Sequence, residues 1–244
     1  MRDDRIIVPL SVGNLDDGHE VIRRVSEVVG YIAIKPDLVM AEGMSVIHDW
    51  FDQNIDGGVS RLMLDGRFCD GSKTMARIAK LVSRFKIRVF TIHASSGMKA
   101  MRAAVENKGD SIVLAVTVSS SLDKDSAHLI FGAPVEVKTL QLARDAVVAG
   151  VDGVICSGRG LETLGNPEHC EEFSNIFKVA CGVRPDWDRR VAPDEQMRNI
   201  NPRRAFDLGA NYAMIYKTIS DPPEGLTTEG VVRRISEEIG GIKK

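Results

Sequence analysis

The stretch Arg61-Leu-Met-Leu-Asp65-Gly-Arg67-Phe-Cys-Asp70 joins an apolar run directly to two carboxylates and a guanidinium. An apolar run without polar alternation is typical of a strand that is buried on both faces. Asp65 and Arg67 are two residues apart, so on an extended segment their side chains point the same way. The pattern predicts a charge pair at the end of a strand, either as a structural ion pair or as part of a site.

A strand–helix rhythm repeats on both sides of this stretch. Eight short apolar runs alternate with helical patterns, and no Pro-rich or Gly/Ser-rich linker interrupts them. Such alternation indicates a parallel sheet covered by helices, and eight repeats in about 250 residues favour a closed barrel. The sequence therefore predicts one α/β domain over residues 1–244, a (β/α)8 TIM barrel with eight parallel strands. An open doubly wound sheet is the alternative, although neither GxGxxG after the first strand nor GxxxxGK[ST] is present.

The predicted elements follow from these runs and from helix-capping residues. The first predicted helix has Asp16 and Asp17 as candidate caps. The strands are predicted at 6–10, 31–34, 62–64, 88–92, 112–117, 151–156, 177–181 and 211–215. The main helices are predicted at 19–29, 42–51, 73–85, 98–107, 137–149 and 228–239.

The overall composition excludes several classes of function. The chain is 43% hydrophobic and 27% charged, with a net charge of -2. A nearly neutral chain has no overall electrostatic attraction to a nucleic acid polymer or to an anionic membrane. No run approaches the ~18 apolar residues of a membrane span, and the N-terminus lacks the apolar region of a signal peptide. The four cysteines show no CxxC spacing, which favours free thiols. We expect a cytoplasmic protein.

Polar residues follow the predicted strands, and in a barrel these strand ends form the mouth where active sites are built. Cations after the seventh and eighth strands, together with nearby glycines and the Gln196 loop, favour an anion site. The alternative for Lys217 is a solvated surface lysine, and His93 is also compatible with a structural role. The residues at the mouth are Ser11, Lys35, Asp65, Arg67, His93, Ser120, Ser157, Arg184 and Lys217.

Several stretches in the same order resemble the orotidine 5′-phosphate decarboxylase superfamily. Asp65-x-Arg67-x-x-Asp70 resembles the DxKxxD motif of that family. Further similar stretches lie at 38–44, 92–97, 114–120, 182–185, 194–198, 201–202 and 209–219, so that the resemblance covers nearly the whole chain. It implies a decarboxylase without cofactor or metal that converts orotidine 5′-phosphate to uridine 5′-phosphate and carbon dioxide in pyrimidine biosynthesis. It also implies a homodimer with shared active sites.

The resemblance also implies roles by position. Asp65 would press against the substrate carboxylate, Arg67 stands in place of the proton-donating Lys, and Asp70 would reach into the partner's site. Lys35 is a further catalytic candidate, as a substitute for a second family Lys, and the alternative is a displaced surface lysine. The implied substrate-binding residues are Ser11 for the ribose, Ser120 for the pyrimidine amide, and Arg184, Gln196 and Lys217 for the phosphate. Thr74 and His93 are further candidate substrate-binding residues.

The chain departs from the family pattern at its chemistry. A lysine, with a pKa near ~10.4, can be tuned to give up a proton, whereas an arginine effectively never deprotonates. Arg67 is therefore a poor general acid, although it can neutralise charge or hold a carboxylate bidentately. The family's first-strand Asp appears as Ser11, and its second-strand Lys falls on Ala33, with Lys35 two residues later on the same face. Lys217 replaces the last phosphate-binding Arg and still offers a point charge.

Two alternatives to the decarboxylase stay open. One is a diverged protein that binds a phosphorylated ligand without this chemistry, or that runs another reaction on the same barrel. The other is the sister branch that acts on sugar phosphates with magnesium. That branch uses a Glu on the second strand, where this chain has Ala33, and Asp65 alone offers few of the ~6 oxygens that magnesium needs. We expect no metal.

Overall fold

The computed structural model describes residues 2–190 and 199–240. Its strands form a closed barrel in which each strand pairs with the next in sequence and the last pairs with the first. All of these pairings are parallel, so the predicted (β/α)8 barrel is confirmed. The strands are β1 (Asp3–Pro9), β2 (Val29–Ile34), β3 (Leu62–Phe68), β4 (Val89–His93), β5 (Ile112–Val116), β6 (Gly153–Ser157), β7 (Phe177–Cys181) and β8 (Tyr212–Met214).

Helices surround the barrel between successive strands. They are α1 (Leu15–Ser26), α2 (Pro36–Glu42), α3 (Met44–Asn54), α4 (Ser72–Arg84), α5 (Met98–Asn107), α6 (Lys124–Phe131), α7 (Val135–Ala149), α8 (Gly158–Leu164), α9 (Pro202–Asp207), α10 (Lys217–Ser220) and α11 (Thr228–Glu238). Short 3-10 turns lie at Gly58–Arg61, Ala94–Ser96 and Cys170–Phe173. Within the described ranges, none of these helices has the length and apolar character needed to cross a membrane.

Two predicted helices begin or end elsewhere, for local reasons. The helix predicted at 42–51 is α3, which begins at Met44, because Gly43 has a φ of 81°, outside the helical region, and separates it from α2, a helix that was not predicted. The first helix begins at Leu15, and its cap is Asn14, whose side chain accepts a hydrogen bond from the backbone of Asp17 at 2.8 Å. Asp16 and Asp17 lie in the first turn instead, where negative charge complements the helix dipole.

The barrel interior is packed, and its lower end is closed by aromatic rings. Tyr31 and Tyr212 meet edge to face at 6.1 Å between ring centroids, and Phe177 contacts Tyr212 in the same manner at 5.8 Å. Since β7 and β8 begin at Phe177 and Tyr212, these rings lie at the N-terminal end. The layer above them draws on every strand and comprises Ile7, Ala33, Met63, Val89, Leu114, Val116, Ile155, Val179 and Met214.

Arg61, the first residue of the stretch 61–70, has a structural role. It is buried, and its guanidinium donates hydrogen bonds to the carbonyls of Gly30 at 3.0 Å, Ser26 at 2.8 Å and Asp56 at 3.2 Å. These contacts tie the start of β3 to the end of α1, to the start of β2 and to the preceding loop. The chemistry of the stretch therefore belongs to its other end.

Candidate active site

A cleft of about 700 Å³ opens at the carboxyl ends of the strands. Its lining gathers residues from β2, β3, the β5 loop, β7 and β8, which are far apart in the sequence. It includes Lys35, Asp65, Arg67, Ser120, Arg184 and Lys217, all of which were predicted from strand ends. Unpredicted members of the lining include Cys181, Asn199, Tyr216 and Thr218.

Asp65 and Arg67 form an ion pair on one side of this cleft. The Arg67 Nε donates to both carboxylate oxygens of Asp65 at 3.2 Å. The Asp65 side chain is 1% exposed, whereas that of Arg67 is 38% exposed. Burial alone would lower the pKa of Arg67, but the charge and hydrogen bonds of Asp65 raise it above its ordinary value. The guanidinium is thereby held in its charged form and is even less able to donate a proton.

The pair forms through an irregular strand end and not through the extended segment that we predicted. In the β3–β4 ladder, Leu64 pairs with Phe90 and Phe68 pairs with Ile92, so residues 65–67 face the single residue Thr91. Arg67 has a φ of 45°, which is unusual for a residue with a side chain. This bulge re-aims the side chains that follow Leu64.

Gly66 fits the bulge because no side chain has room there. A Cβ at this position would lie 2.4 Å from the ring of Phe68. The bulge therefore requires a glycine at position 66, between the charged residues Asp65 and Arg67.

Lys35 lies on the same side of the mouth. Ala33 belongs to the packed barrel interior, and Lys35, two residues further along, lines the cleft above it. Lys35 has an extended backbone and precedes Pro36, the first residue of α2, so the strand end and helix start hold its position. Its amine forms no ion pair with any residue in the described ranges.

Arg184 and Lys217 lie on the opposite side, where an anion site was predicted. Arg184 contacts Asp188, with 3.7 Å between Nη2 and Oδ1. Asp188 also accepts hydrogen bonds from Arg190 Nε at 2.9 Å and from Thr218 Oγ1 at 2.6 Å. Burial would raise the pKa of Asp188, but these hydrogen bonds hold it well below its usual range. An ionised Asp188 thus ties the β7 loop to the residue after Lys217.

The loop after β7 is also fixed to the last helix. Trp187 Nε1 donates to Glu238 Oε1 at 2.5 Å, and the guanidinium of Arg234 stacks over the Trp187 ring at 4.3 Å. The charged loop 186–190 is thus anchored to the barrel, a role that was not predicted from the sequence. The alternation of Arg184, Asp188 and Arg190 was the available signal. Gln196 lies outside the described residues.

Ser157, predicted at the mouth, does not line the main cleft but is buried and caps α8, where its hydroxyl accepts a hydrogen bond from the backbone of Gly160. Four further predicted residues of the described ranges also lie outside this lining. Asp70 is exposed, and its carboxylate accepts a hydrogen bond from the backbone of Gly71. Thr74 lies in the first turn of α4, where Arg77 donates to its hydroxyl at 3.3 Å. Ser11 is exposed at the rim, and its carbonyl accepts a hydrogen bond from the Tyr216 hydroxyl at 3.4 Å.

His93 is the fourth, and it lines a neighbouring cleft with Ser119 and Lys138. Burial, together with the positive charge of Arg67, lowers the pKa of His93. Its ring is therefore biased toward the neutral form, beside the active-site pair but outside the main cleft.

Potential metal ligands do not gather in the structure. Across residues 2–190 and 199–240, no group of three or more His, Cys, Asp or Glu side chains is arranged to hold a metal ion.

Comparison with known proteins places this barrel in a family. A model described as "Orotidine 5'-phosphate decarboxylase / HUMPS family" matches residues 4–215, which include the Asp65–Arg67 pair and Arg184 and end two residues before Lys217. The chain belongs to this family. The identification agrees with the resemblance carried by Asp65-x-Arg67-x-x-Asp70 and by the stretches in register with it.

Individual relatives of the orotidine 5′-phosphate decarboxylase / HUMPS family align over most of the chain. A Methylococcus capsulatus protein named orotidine 5′-phosphate decarboxylase is 30% identical over 89% of this chain and 86% of its own. A Heliobacterium modesticaldum protein of the same name is 29% identical over 99% and 98%. The crystal structure of the Lactobacillus acidophilus orotidine 5′-phosphate decarboxylase superposes with a TM-score of 0.76 over 98% of this chain and all of its own. At 20% identity, that superposition supports the fold.

Proposed function

We propose that this protein is a decarboxylase of the orotidine 5′-phosphate type, which converts orotidine 5′-phosphate to uridine 5′-phosphate and carbon dioxide. The observation that carries the proposal is the single cleft that joins the Asp65–Arg67 pair to Arg184 and Lys217. One side offers charges suited to a carboxylate and its loss, and the other offers cations suited to a phosphate. Family membership supports the same reaction type.

The reaction requires the bond between the ring carbon and the carboxylate to break, with the electron pair staying on the ring. Asp65 would destabilise the bound carboxylate by like-charge proximity, and this repulsion ends as neutral carbon dioxide leaves. Arg67 and Lys35 would stabilise the charge that develops on the ring carbon. Lys35 would deliver the proton, because a lysine can give one up whereas Arg67 cannot.

The remaining residues would bind and orient the nucleotide. Arg184 and Lys217 would hold the phosphate, together with Gln196, as the family resemblance implies. Ser120 lines the cleft and would hold the pyrimidine amide. Ser11, at the rim, would contact the ribose. Asp70, Thr74 and His93 lie outside the cleft of their own chain, and in a homodimer with shared sites Asp70 would serve the partner's cleft.

A second candidate is a barrel that binds a phosphorylated carboxylate without decarboxylating it. The observation that favours it is Arg67, whose Nε pairs with Asp65 while Nη1 and Nη2 have no hydrogen bond to any described residue. A guanidinium that holds a carboxylate bidentately stabilises the group that the reaction must lose. Cleavage would then be slowed and binding strengthened.

The experiment that separates the two candidates measures turnover and binding on the same preparation. Loss of orotidine 5′-phosphate is followed by its ultraviolet absorbance, and uridine 5′-phosphate binding is measured by calorimetry. A kcat of about 1 s⁻¹ or more, an ordinary enzymatic value, supports the decarboxylase. Absence of turnover with retained nucleotide binding rejects it in favour of the second candidate.

Lys217→Ala tests the anion site that both candidates share. Loss of a charge-assisted contact should raise the Kd for uridine 5′-phosphate roughly tenfold or more. Lys80→Ala, on an exposed position of α4, is the matched control and should bind the nucleotide as the parent does. Equal affinities in the two variants would remove Lys217 from the site.

A further inference from the structure

Thr91 occupies the place in β4 opposite the bulge that carries Asp65 and Arg67. It is fully buried, and its hydroxyl contacts both charged residues. The Oγ1 accepts a hydrogen bond from the backbone N–H of Arg67 at 2.8 Å and donates one to Asp65 Oδ1 at 2.9 Å. Neither the family motif nor the strand-end pattern drew attention to this residue.

The direction of these two hydrogen bonds is settled by their chemistry. The backbone N–H of Arg67 can only donate, so the Thr91 oxygen must accept. The single hydroxyl proton is then available for the carboxylate of Asp65, which can only accept when it is ionised. The buried Thr91 hydroxyl therefore donates to Asp65 and accepts from the backbone of Arg67, so that it contacts both members of the ion pair.

The bulge needs such a support because its backbone is unfavourable. A side-chain-bearing residue at a φ of 45° lies in the left-handed region, which costs roughly 1–2 kcal/mol relative to the right-handed one. Such a conformation persists where surrounding contacts over-determine it. The bulge also removes the Arg67 N–H from the regular strand ladder, and Thr91 supplies the acceptor that this N–H would otherwise lack. Threonine is stiff about its first side-chain torsion, so its hydroxyl is held in one direction.

We propose that Thr91 is a positioning residue for the active site. By fixing the backbone of Arg67 and the carboxylate of Asp65 together, it aims the guanidinium fork into the cleft. Its effect on turnover rests on the proposed decarboxylase function, whereas its effect on Arg67 does not.

The test compares Thr91→Val, which keeps the shape and removes the hydroxyl, with Thr91→Ser, which keeps the hydroxyl. Thr117→Val is the matched control, because Thr117 is also buried near a strand end but its hydroxyl donates to the carbonyl of Ile155 and, among residues 2–190 and 199–240, to no side chain. We expect Thr91→Val to lower kcat roughly tenfold or more through misplacement of the pair. The KM for orotidine 5′-phosphate should stay within about threefold, since the phosphate contacts are untouched. Thr91→Ser should restore kcat, and Thr117→Val should leave it unchanged.

A second readout follows Arg67 directly. The backbone and Nε–H nitrogen resonances of Arg67 are assigned by their loss or shift in Arg67→Lys. They should move in Thr91→Val, return in Thr91→Ser and stay in place in Thr117→Val. If Thr91→Val does not fold, the parent protein decides: a slowly exchanging Thr91 hydroxyl proton supports the inference, and a freely exchanging one overturns it.

The outcomes separate this inference from the proposed function. Unchanged Arg67 resonances in Thr91→Val overturn the positioning role. So does a loss of activity that only tracks the unfolded fraction and is equalled by Thr117→Val. If the parent protein does not turn over orotidine 5′-phosphate, the decarboxylase proposal fails, and the Arg67 resonances alone decide the role of Thr91.

Discussion

At the residue scale, Arg67 combines two properties that oppose each other in a decarboxylase. Its charge is well placed to stabilise a developing carbanion, since Nε is anchored on Asp65 and the rest of the guanidinium is partly exposed to the cleft. The same ion pair raises its pKa and so prevents it from acting as the proton donor. The residue can therefore stabilise charge but cannot complete the proton transfer.

Arg67→Lys tests that division of roles. A lysine at this position can release its proton, so we expect kcat for orotidine 5′-phosphate to rise by roughly tenfold or more. The KM should rise as well, because a lysine cannot hold a carboxylate bidentately. The measurement is steady-state turnover. A lower kcat would show instead that the guanidinium itself is a working part of the reaction.

The matched control for this substitution is Arg144→Lys. Arg144 also pairs with a carboxylate, Glu172, at 2.6 Å, but on the exposed surface away from the cleft. Arg144→Lys should leave both kcat and KM unchanged. A similar response from Arg144→Lys would mean that the change at Arg67 does not act through the site.

At the element scale, the end of α4 shows how a helix can stop without the usual glycine. The N–H of Ile87 donates to the carbonyl of Val82 at 3.2 Å, and the N–H of Lys86 donates to Ser83 at 3.0 Å. This pair of bonds is a Schellman motif, which places Lys86 at the left-handed position, with a φ of 53°. The end of α7 has the same pair of bonds, but with Gly150 at the corresponding position.

Lys86→Gly should therefore stabilise the protein. Removal of the side chain relieves left-handed strain and should raise the free energy of unfolding by about 0.5–1 kcal/mol, measured by denaturant titration. Lys86→Ala keeps the strain and should bring no such gain, which separates backbone conformation from lost charge. Gly150→Ala should lower the free energy of unfolding by about the same amount, because an alanine would adopt the left-handed conformation there. Steric contact would not contribute, since the added Cβ would meet no atom closer than Val105 at 3.8 Å. A gain in both Lys86 variants would contradict a backbone cause.

At the scale of the whole molecule, Asp70 is a predicted catalytic residue that lies outside the cleft of its own chain. It lies five positions after Asp65, at the exposed start of the segment before α4, and it does not line the cleft of its own chain. The proposed homodimer gives it a place in the partner's site. In a symmetric dimer each chain would then contribute to both clefts.

Mixing two inactive variants tests the shared site. Asp65→Asn and Asp70→Asn should each abolish most turnover alone. In a mixed dimer one cleft carries both substitutions and the other carries neither, so an exchanged mixture should recover about a quarter of the parental activity. Light scattering should give twice the chain mass of 26.7 kDa. No recovery from a mixture that has exchanged subunits, or a monomer across micromolar concentrations, would reject the arrangement.

Local pattern was enough to predict most of the fold and much of the cleft. All eight strands were found from their apolar runs, because burial on both faces leaves a signal within each segment. Strand-end position then placed Lys35, Asp65, Arg67 and Lys217 at one mouth, since parallel strands in a barrel all point the same way. The short helices α2, α6, α8, α9 and α10 were missed because each has eight residues or fewer and leaves little periodicity to detect.

The sequence by itself determined the eight-stranded barrel, the end at which its site lies and the residue types available there, because these depend on periodicity and on chain direction. Only the tertiary structure decided how those residues are held. The bulge depends on the register of β3 against β4, and Thr91 meets Arg67 across 24 positions of the chain. Asp188 likewise meets Thr218 across 30 positions. Contacts of this kind arise when distant segments pack together, so no local pattern announces them.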